Sequence, residues 1–123
     1  MVQRGGSLKR IVHHYNQTFK MNFYFCLGWR QDRYVSMMKR RFDINLQVNS
    51  RLAHTCPVSI GNELAVAVWI SKDAHPAVLA HECLHAVNMT LLHRGVTADF
   101  ENDELQAYFL EELLRKVTPS ATR

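Results

Sequence analysis

Residues 78 to 87 read Val-Leu-Ala-His-Glu-Cys-Leu-His-Ala-Val, and they lie within an apolar run that follows Pro76 and ends before Gly95. Proline suits the first position of a helix, because its missing N–H would be unpaired there anyway. Glycine suits the position just after a helix, where the backbone turns left-handed. The run therefore predicts a helix that begins at Pro76 and ends near His93.

The centre of this helix carries an HExxH motif, His81-Glu82-Cys83-Leu84-His85. Residues four apart lie one turn apart on the same helix face, so both imidazoles can reach one metal ion. Glu82 lies close enough to take a proton from a water on that metal, as a general base. Zinc is the predicted ion, because neutral imidazoles and a carboxylate form a tetrahedral site with one open position.

The third ligand is expected from the next helix, predicted from about Asn102 to Val117. Glu104 lies 19 residues after His85, near the start of that helix. The intervening turn would let the two helices pack antiparallel and bring Glu104 to the histidines. The alternative ligands are Glu101, Asp103, Glu111 and Glu112. The adjacent Asp103 is the main one, although it can instead cap the helix or orient a ligand histidine from behind.

Other side chains near the motif have more than one interpretation. Tyr108, one turn beyond Glu104, could donate a hydrogen bond to the oxyanion that forms when water attacks a carbonyl. The favoured alternative is that it forms an aromatic wedge between the helices. Glu111 and Glu112 are expected on a solvated face, with Glu111 a candidate for the mouth of the site. Cys83 lies on the far side of the helix from His81 and is predicted to be in the core.

The 123 residues are the length of one domain. Gly61-Asn62 tolerates positive φ and predicts a hairpin turn between two apolar runs. The order of elements predicts a single α+β domain, with a small sheet packed on the HExxH helix and the Glu-bearing helix. The further expected elements are helices over Leu8 to Phe19 and Arg33 to Phe42, and strands over Met21 to Leu27, Ile44 to Val48, Cys56 to Ile60 and Leu64 to Ile70.

Charge divides the chain into two parts. Residues 1 to 42 hold nine Lys and Arg against one acid, a balance of +8, whereas residues 43 to 123 hold six against ten, a balance of −4. The first part of the domain, residues 1 to 55, is therefore called the basic part. It could bind nucleic acid or an acidic partner, or its charges could form a solvated helix face. The candidate residues for such a patch are Arg30, Arg33, Lys39, Arg40 and Arg41.

Apolar runs and cysteines indicate the compartment. No apolar run approaches 18 residues, which argues against a membrane span or a membrane partner. The three cysteines contain no CxxC, and their odd number does not indicate a disulfide framework. We therefore expect reduced thiols and a cytoplasmic location.

The quoted segment, followed at residues 102 to 114 by Asn-Asp-Glu-Leu-Gln-Ala-Tyr-Phe-Leu-Glu-Glu-Leu-Leu, resembles a minimal gluzincin metallopeptidase. It is similar to small HExxH proteins of bacteriophage genomes and to IrrE-like peptidases, whose second motif is a Glu followed three residues later by Ala. The resemblance covers residues 64 to 116. It implies a peptide or protein substrate cleaved in the host cytoplasm or in a virion, and a substrate-binding edge strand at Leu64 to Ile70. It also implies Zn²⁺ on His81, His85 and Glu104, with Glu82 as the catalytic residue and Ala107 as the small residue between the two helices.

Two other functions stay open at the level of the sequence. The same site could hold zinc without catalysis, as a structural or partner-binding module in a domain with no separate substrate region. Alternatively, the basic part could be an adaptor for nucleic acid or for a virion or host component. Neither the cleavage specificity nor the oligomeric state follows from the residues.

Overall fold

A computed structural model describes residues 9–97, 99 and 103–118. The strands in these residues form one mixed sheet of order β1-β2-β4-β3, in which β2 and β4 are parallel and the other pairs are antiparallel. The expected α+β domain is confirmed. In chain order the elements are β1 (Arg10–Asn16), β2 (Met21–Leu27), α1 (Gln31–Phe42), β3 (Ala53–Ile60), β4 (Glu63–Ile70), α2 (Ala77–His93) and α3 (Glu104–Val117).

The helices cover both faces of the sheet. Successive residues of β4 point to opposite faces, so Val66 and Val68 pack on the side of α2 and α3, whereas Ala67 and Trp69 pack on the side of α1. This strand is buried on both faces, which explains its continuous apolar sequence. Because β2 pairs directly with β4, the basic first part of the chain and the HExxH part share one sheet.

The helix predicted over Leu8 to Phe19 is wrong. The described part of that stretch forms β1, which pairs with β2 through a short turn. Its apolar residues follow helical spacing because both faces of the strand contact core: Val12 packs toward α2 and α3, and Ile11 packs toward α1. The strand therefore lacks the simple alternation that would have identified it.

The strand predicted over Ile44 to Val48 is also wrong, because this stretch has no regular secondary structure. Ile44, Leu46 and Val48 nevertheless pack against the core on the α1 side. The alternating pattern thus reflects an extended chain that buries one side, without the backbone pairing of a sheet.

The strand at the edge of the sheet beside α2 is β3, not the strand expected from the resemblance. Residues Leu64 to Ile70 lie in β4, which is central because β2 and β3 both pair with it. The predicted hairpin between β3 and β4 is confirmed, and Gly61 adopts the positive φ of 63° that its turn requires. Among the described residues, no strand pairs with the outer side of β3.

The two ends of α2 follow the sequence prediction. The helix begins at Ala77, whose backbone N–H donates to His75 Nδ1 at 3.0 Å, and it ends at His93. Gly95 then takes a positive φ of 73°. In the part of the chain that the structure describes, no helix is long and apolar enough to cross a bilayer.

Candidate metal centre

The two histidines of the motif lie side by side on α2, as their spacing predicts. His81 Nε2 and His85 Nε2 are 3.2 Å apart, and the rings are nearly perpendicular at 83°. Both side chains are exposed, His81 by 67%. Two nitrogens that bind one tetrahedral zinc ion at about 2.0–2.1 Å lie about 3.4 Å apart. The spacing is that of a hydrogen bond between the two rings, and it is also close to the separation of two corners of one metal site.

Glu82 turns away from solvent into the contact between α2 and β3. The residue is only 8% exposed. Its Oε1 accepts a 2.5 Å hydrogen bond from Thr55 Oγ1, and its Oε2 lies 4.0 Å from His81 Nε2. Thr55 faces α2 because its partner in β4, Val68, lies on the same face of the sheet. β3 thus holds Oε1 of Glu82 through Thr55, and Oε2 lies on the side of His81.

Burial sets the protonation of two neighbouring groups. Burial lowers the pKa of His54, although the negative charge of Glu82 acts in the opposite direction. Burial also raises the pKa of the Cys83 thiol to about 12, and Glu82 adds to that rise. Cys83 is fully buried, so its predicted place in the core is confirmed, and its thiol stays protonated at neutral pH.

A groove of about 420 Å³ opens beside the motif, between the start of β3 and the first turns of α2. Apart from one serine, the side chains that join Glu82 and His81 in its lining are apolar. These residues are Ser50, Leu52, Ala53, Ala77 and Val78. The groove therefore places a mainly apolar surface directly against the carboxylate and one of the imidazoles.

The predicted third ligand does not join the two histidines in this structure. The helices do pack antiparallel: Arg94 at the end of α2 bonds to Lys20 O, while Val117 O at the end of α3 bonds to Arg10 at the opposite end of the sheet. Their register places Gln106 on Asn88, with 2.6 Å between Nε2 and Oδ1.

This register carries Glu104 toward the end of α2, past His85. Over residues 9–97, 99 and 103–118, no three His, Cys, Asp or Glu side chains gather into a metal site. Asp103 is exposed at the start of α3 and makes no side-chain cap there. Glu101, a further candidate for the ligand, lies outside the described residues.

Tyr108 lies apart from the motif. The residue is 65% exposed. Among the described residues, the groove that it lines is formed by other residues of α3, which are Glu111, Glu112, Arg115 and Lys116. Glu111 pairs with Arg115 at 2.6 Å. Of the residues predicted for catalysis or metal binding, the structure therefore brings together His81, Glu82 and His85, and it places Tyr108 elsewhere.

Sequence reasoning missed Thr55. It lies 27 residues before Glu82, so no local spacing connects the two, and the stretch around it reads only as an apolar strand. Its role depends on which face of β3 it occupies and on β3 being the strand beside α2. Both follow from the sheet order rather than from any motif.

Comparisons with known proteins give no further guide to the site. No protein-family model matches the chain, and no curated protein or solved structure matches it.

Proposed function

We propose that this protein is a zinc-dependent peptidase whose site is built on His81, Glu82 and His85. The observation that carries the proposal is the 3.2 Å separation of the two Nε2 atoms beside a buried carboxylate. The donor set fits zinc, since two exposed imidazoles supply neutral nitrogen ligands at the required spacing. Zinc, when bound, would act as a Lewis acid on the scissile carbonyl and on water.

The protein residues would divide the remaining work. Glu82 would accept a proton from the attacking water and pass it to the nitrogen of the leaving amine. Thr55 would keep the carboxylate turned toward β3, so that Glu82 acts as a base and does not bind the metal itself. His81 and His85 would hold the ion through their Nε2 atoms.

A peptide or protein substrate fits the surroundings of the site. The outer side of β3 is available for backbone hydrogen bonds from an extended peptide, since no described strand occupies it. The apolar groove beside Glu82 would receive a side chain next to the scissile bond. In this proposal β3 replaces Leu64 to Ile70 as the strand that aligns the substrate.

Glu104 remains our proposed third ligand, on its spacing from His85 and its likeness to the Glu-x-x-Ala motif. Its binding to the metal requires α3 to shift along α2 from the register in which Gln106 contacts Asn88. Metal binding would supply the free energy for that shift, because metal-site formation and local folding are coupled.

The first experiment measures zinc binding and then hydrolysis. Purified protein is titrated with Zn²⁺ by calorimetry, with His81→Ala and His85→Ala as ligand variants and His93→Ala, an exposed histidine at the end of α2, as the matched control. The proposal expects one zinc per chain, lost in the two ligand variants and kept in the control. Equal binding by all four proteins, or none by any, contradicts it.

Hydrolysis distinguishes the peptidase from a non-catalytic zinc module. Zinc-loaded protein is incubated with casein, alongside Glu82→Gln. The proposal expects cleavage that Glu82→Gln abolishes while its zinc content is unchanged. Bound zinc with no cleavage, combined with unfolding on chelation, would instead support the structural module.

A further inference from the structure

The α1 side of the sheet is only partly covered. Residues Gln31 and Lys39 of α1 face the segment after the helix: Gln31 Nε2 bonds to Val48 O and Ser50 O, and Lys39 lines a groove with Ile44. The helix and this segment thus cover the β3 side. Among the described residues, neither the helix nor this segment covers the opposite side, over β1, where His13 is exposed and Tyr15 is 43% exposed.

Rings form a continuous ladder across this open surface. His13 stacks on Tyr24 with centroids 4.6 Å apart and ring planes 9° from parallel. Tyr24 contacts Phe42 at 5.2 Å, and the guanidinium of Arg41 lies 5.5 Å from the centre of the Phe42 ring. One ladder therefore joins the exposed strand to the basic end of α1. At the far end of β1, Lys9 lies 4.5 Å from the centre of the Trp29 ring.

Arg41 lies at the end of the ladder, on the ring of Phe42. Arg33 and Arg41 lie eight residues apart, on the helix flank opposite Lys39. Among the described residues, neither they nor Arg40 has a carboxylate partner, in contrast to Arg30 and Lys39, which pair with Asp32 and Asp43. The four described strands contain one acid, Glu63, which accepts a 3.3 Å hydrogen bond from Asn22. This flank of α1 thus carries positive charge that no described carboxylate pairs with.

We propose that this open strip, formed by His13, Tyr15, Tyr24, Arg33 and Arg41, binds single-stranded nucleic acid. Bases would stack on the outer face of His13 and on Tyr15, because every base offers a π-face to an exposed ring. Phosphates would pair with Arg33 and Arg41. An acidic protein would need only the positive charges, whereas nucleic acid would also use the exposed rings. The ladder of rings therefore favours nucleic acid.

The proposal is independent of the metal centre. The strip lies on the α1 face of the sheet, whereas α2 lies on the other face, so the two surfaces are separated by the thickness of the sheet. Binding is therefore expected to be unchanged in His81→Ala and in the presence of a chelator. If the protein has no peptidase activity, the prediction of nucleic-acid binding is unaffected. If it does not bind nucleic acid, the proposed peptidase activity is likewise unaffected.

The test is fluorescence anisotropy with labelled oligo(dT) and oligo(U) of about 15 nucleotides, an arm for DNA and an arm for RNA. Stacking on one ring is worth about tenfold in affinity, so Tyr15→Ala should weaken binding by about that factor while Tyr15→Trp retains it. Arg41→Gln should also weaken binding. The matched control is Arg115→Gln, which removes the same charge from the other layer of the domain.

Salt gives a second readout. Two phosphate contacts on a single strand predict a loss of about sevenfold in affinity between about 50 and about 200 mM salt. Binding that Tyr15→Ala and Arg41→Gln leave unchanged would overturn the proposal, as would no saturable binding at about 50 mM salt. The proposal would also be overturned if heparin bound as tightly as the oligonucleotides and Tyr15→Ala weakened neither interaction. That result would indicate a general polyanion-binding surface, which suits an acidic protein.

Discussion

Thr55 Oγ1 donates a 2.5 Å hydrogen bond to Glu82 Oε1, and this bond joins the edge strand β3 to the HExxH helix. It is the only hydrogen bond that the described residues donate to the buried Glu82 carboxylate. Such a group is costly to leave unpaired away from water. The bond therefore serves both the packing of α2 on the sheet and the orientation of the proposed general base.

Thr55→Val tests this relationship. The variant keeps the shape of the side chain and removes the donor, so it should lower the free energy of unfolding by about 1–3 kcal/mol. Thr55→Ser retains the hydroxyl and should recover most of that loss. Urea denaturation of the three proteins measures the difference. If zinc-dependent hydrolysis is found, Thr55→Val should lower kcat more than it changes zinc affinity. Equal stability of the Val variant and the parent protein would show that the bond contributes nothing.

The third ligand can be identified by comparing Glu104→Gln with Glu101→Gln. Loss of a residue that only hydrogen-bonds to a ligand weakens metal binding by up to about 100-fold. Loss of a direct ligand should therefore weaken zinc binding by more than about 100-fold. We expect that loss for Glu104→Gln. Glu111→Gln is the control, because Glu111 pairs with Arg115.

Two outcomes of that comparison would contradict Glu104 as ligand. A large loss in Glu101→Gln with no change in Glu104→Gln would assign the metal to the residue three positions earlier. Unchanged zinc affinity in both variants would show that neither glutamate is a ligand. Calorimetric titration with Zn²⁺ resolves these cases.

Features with local causes were predictable from the sequence. The limits of α2 follow from Pro76 and Gly95, and the β3–β4 hairpin follows from Gly61-Asn62, because each signal is a backbone preference of the residue itself. The side-by-side placement of His81 and His85 follows from helix geometry alone. None of these depends on how the elements pack together.

Features set by tertiary packing were not predictable. β1 reads as a helix because two core layers impose apolar residues on both of its faces. Thr55 gains its role only when β3 lies at the edge beside α2. The place of Glu104 depends on the register between α2 and α3, in which Gln106 contacts Asn88. Each requires the sheet order or the helix register, and spacing along the chain contains neither.

Tyr34→Phe should stabilise the protein. The residue is fully buried on α1 and stacks on Trp69 with ring planes 9° apart. Among the described residues its hydroxyl has no hydrogen-bond partner, and burial raises its pKa, with Cys56 and Cys26 contributing. Phenylalanine keeps the ring and removes the unpaired group, so the free energy of unfolding should rise by about 1 kcal/mol.

Thermal and urea unfolding measure this change, with Tyr15→Phe as the control. Tyr15 is partly exposed, so its variant should differ from the parent by less than about 0.5 kcal/mol. A loss of stability in Tyr34→Phe would contradict the prediction and would indicate that the hydroxyl bonds to a buried water.

Glu112 ties α3 to β1, and this contact should make stability depend on pH. Its Oε2 accepts hydrogen bonds from His14 Nε2 at 2.6 Å and from Asn16 Nδ2 at 2.9 Å. Burial acts to raise the pKa of Glu112, but the hydrogen bonds from His14 and Asn16 outweigh it, so the pKa lies below its usual value of 4.5. The folded state therefore favours the ionised carboxylate.

Because the pKa is lower in the folded than in the unfolded state, the contact stabilises the protein fully above about pH 4.5 and loses its effect as the pH falls through the folded value. Glu112→Gln removes this dependence. At pH 7 we expect it to be less stable than the parent by about 0.5–1 kcal/mol, since the pair is partly exposed. The difference should shrink as urea denaturation is repeated at pH values below about 4.5. Glu111→Gln, one residue away and exposed, is the matched control. A difference that stays constant down to about pH 3 would show that the ionised carboxylate is not the source of the effect.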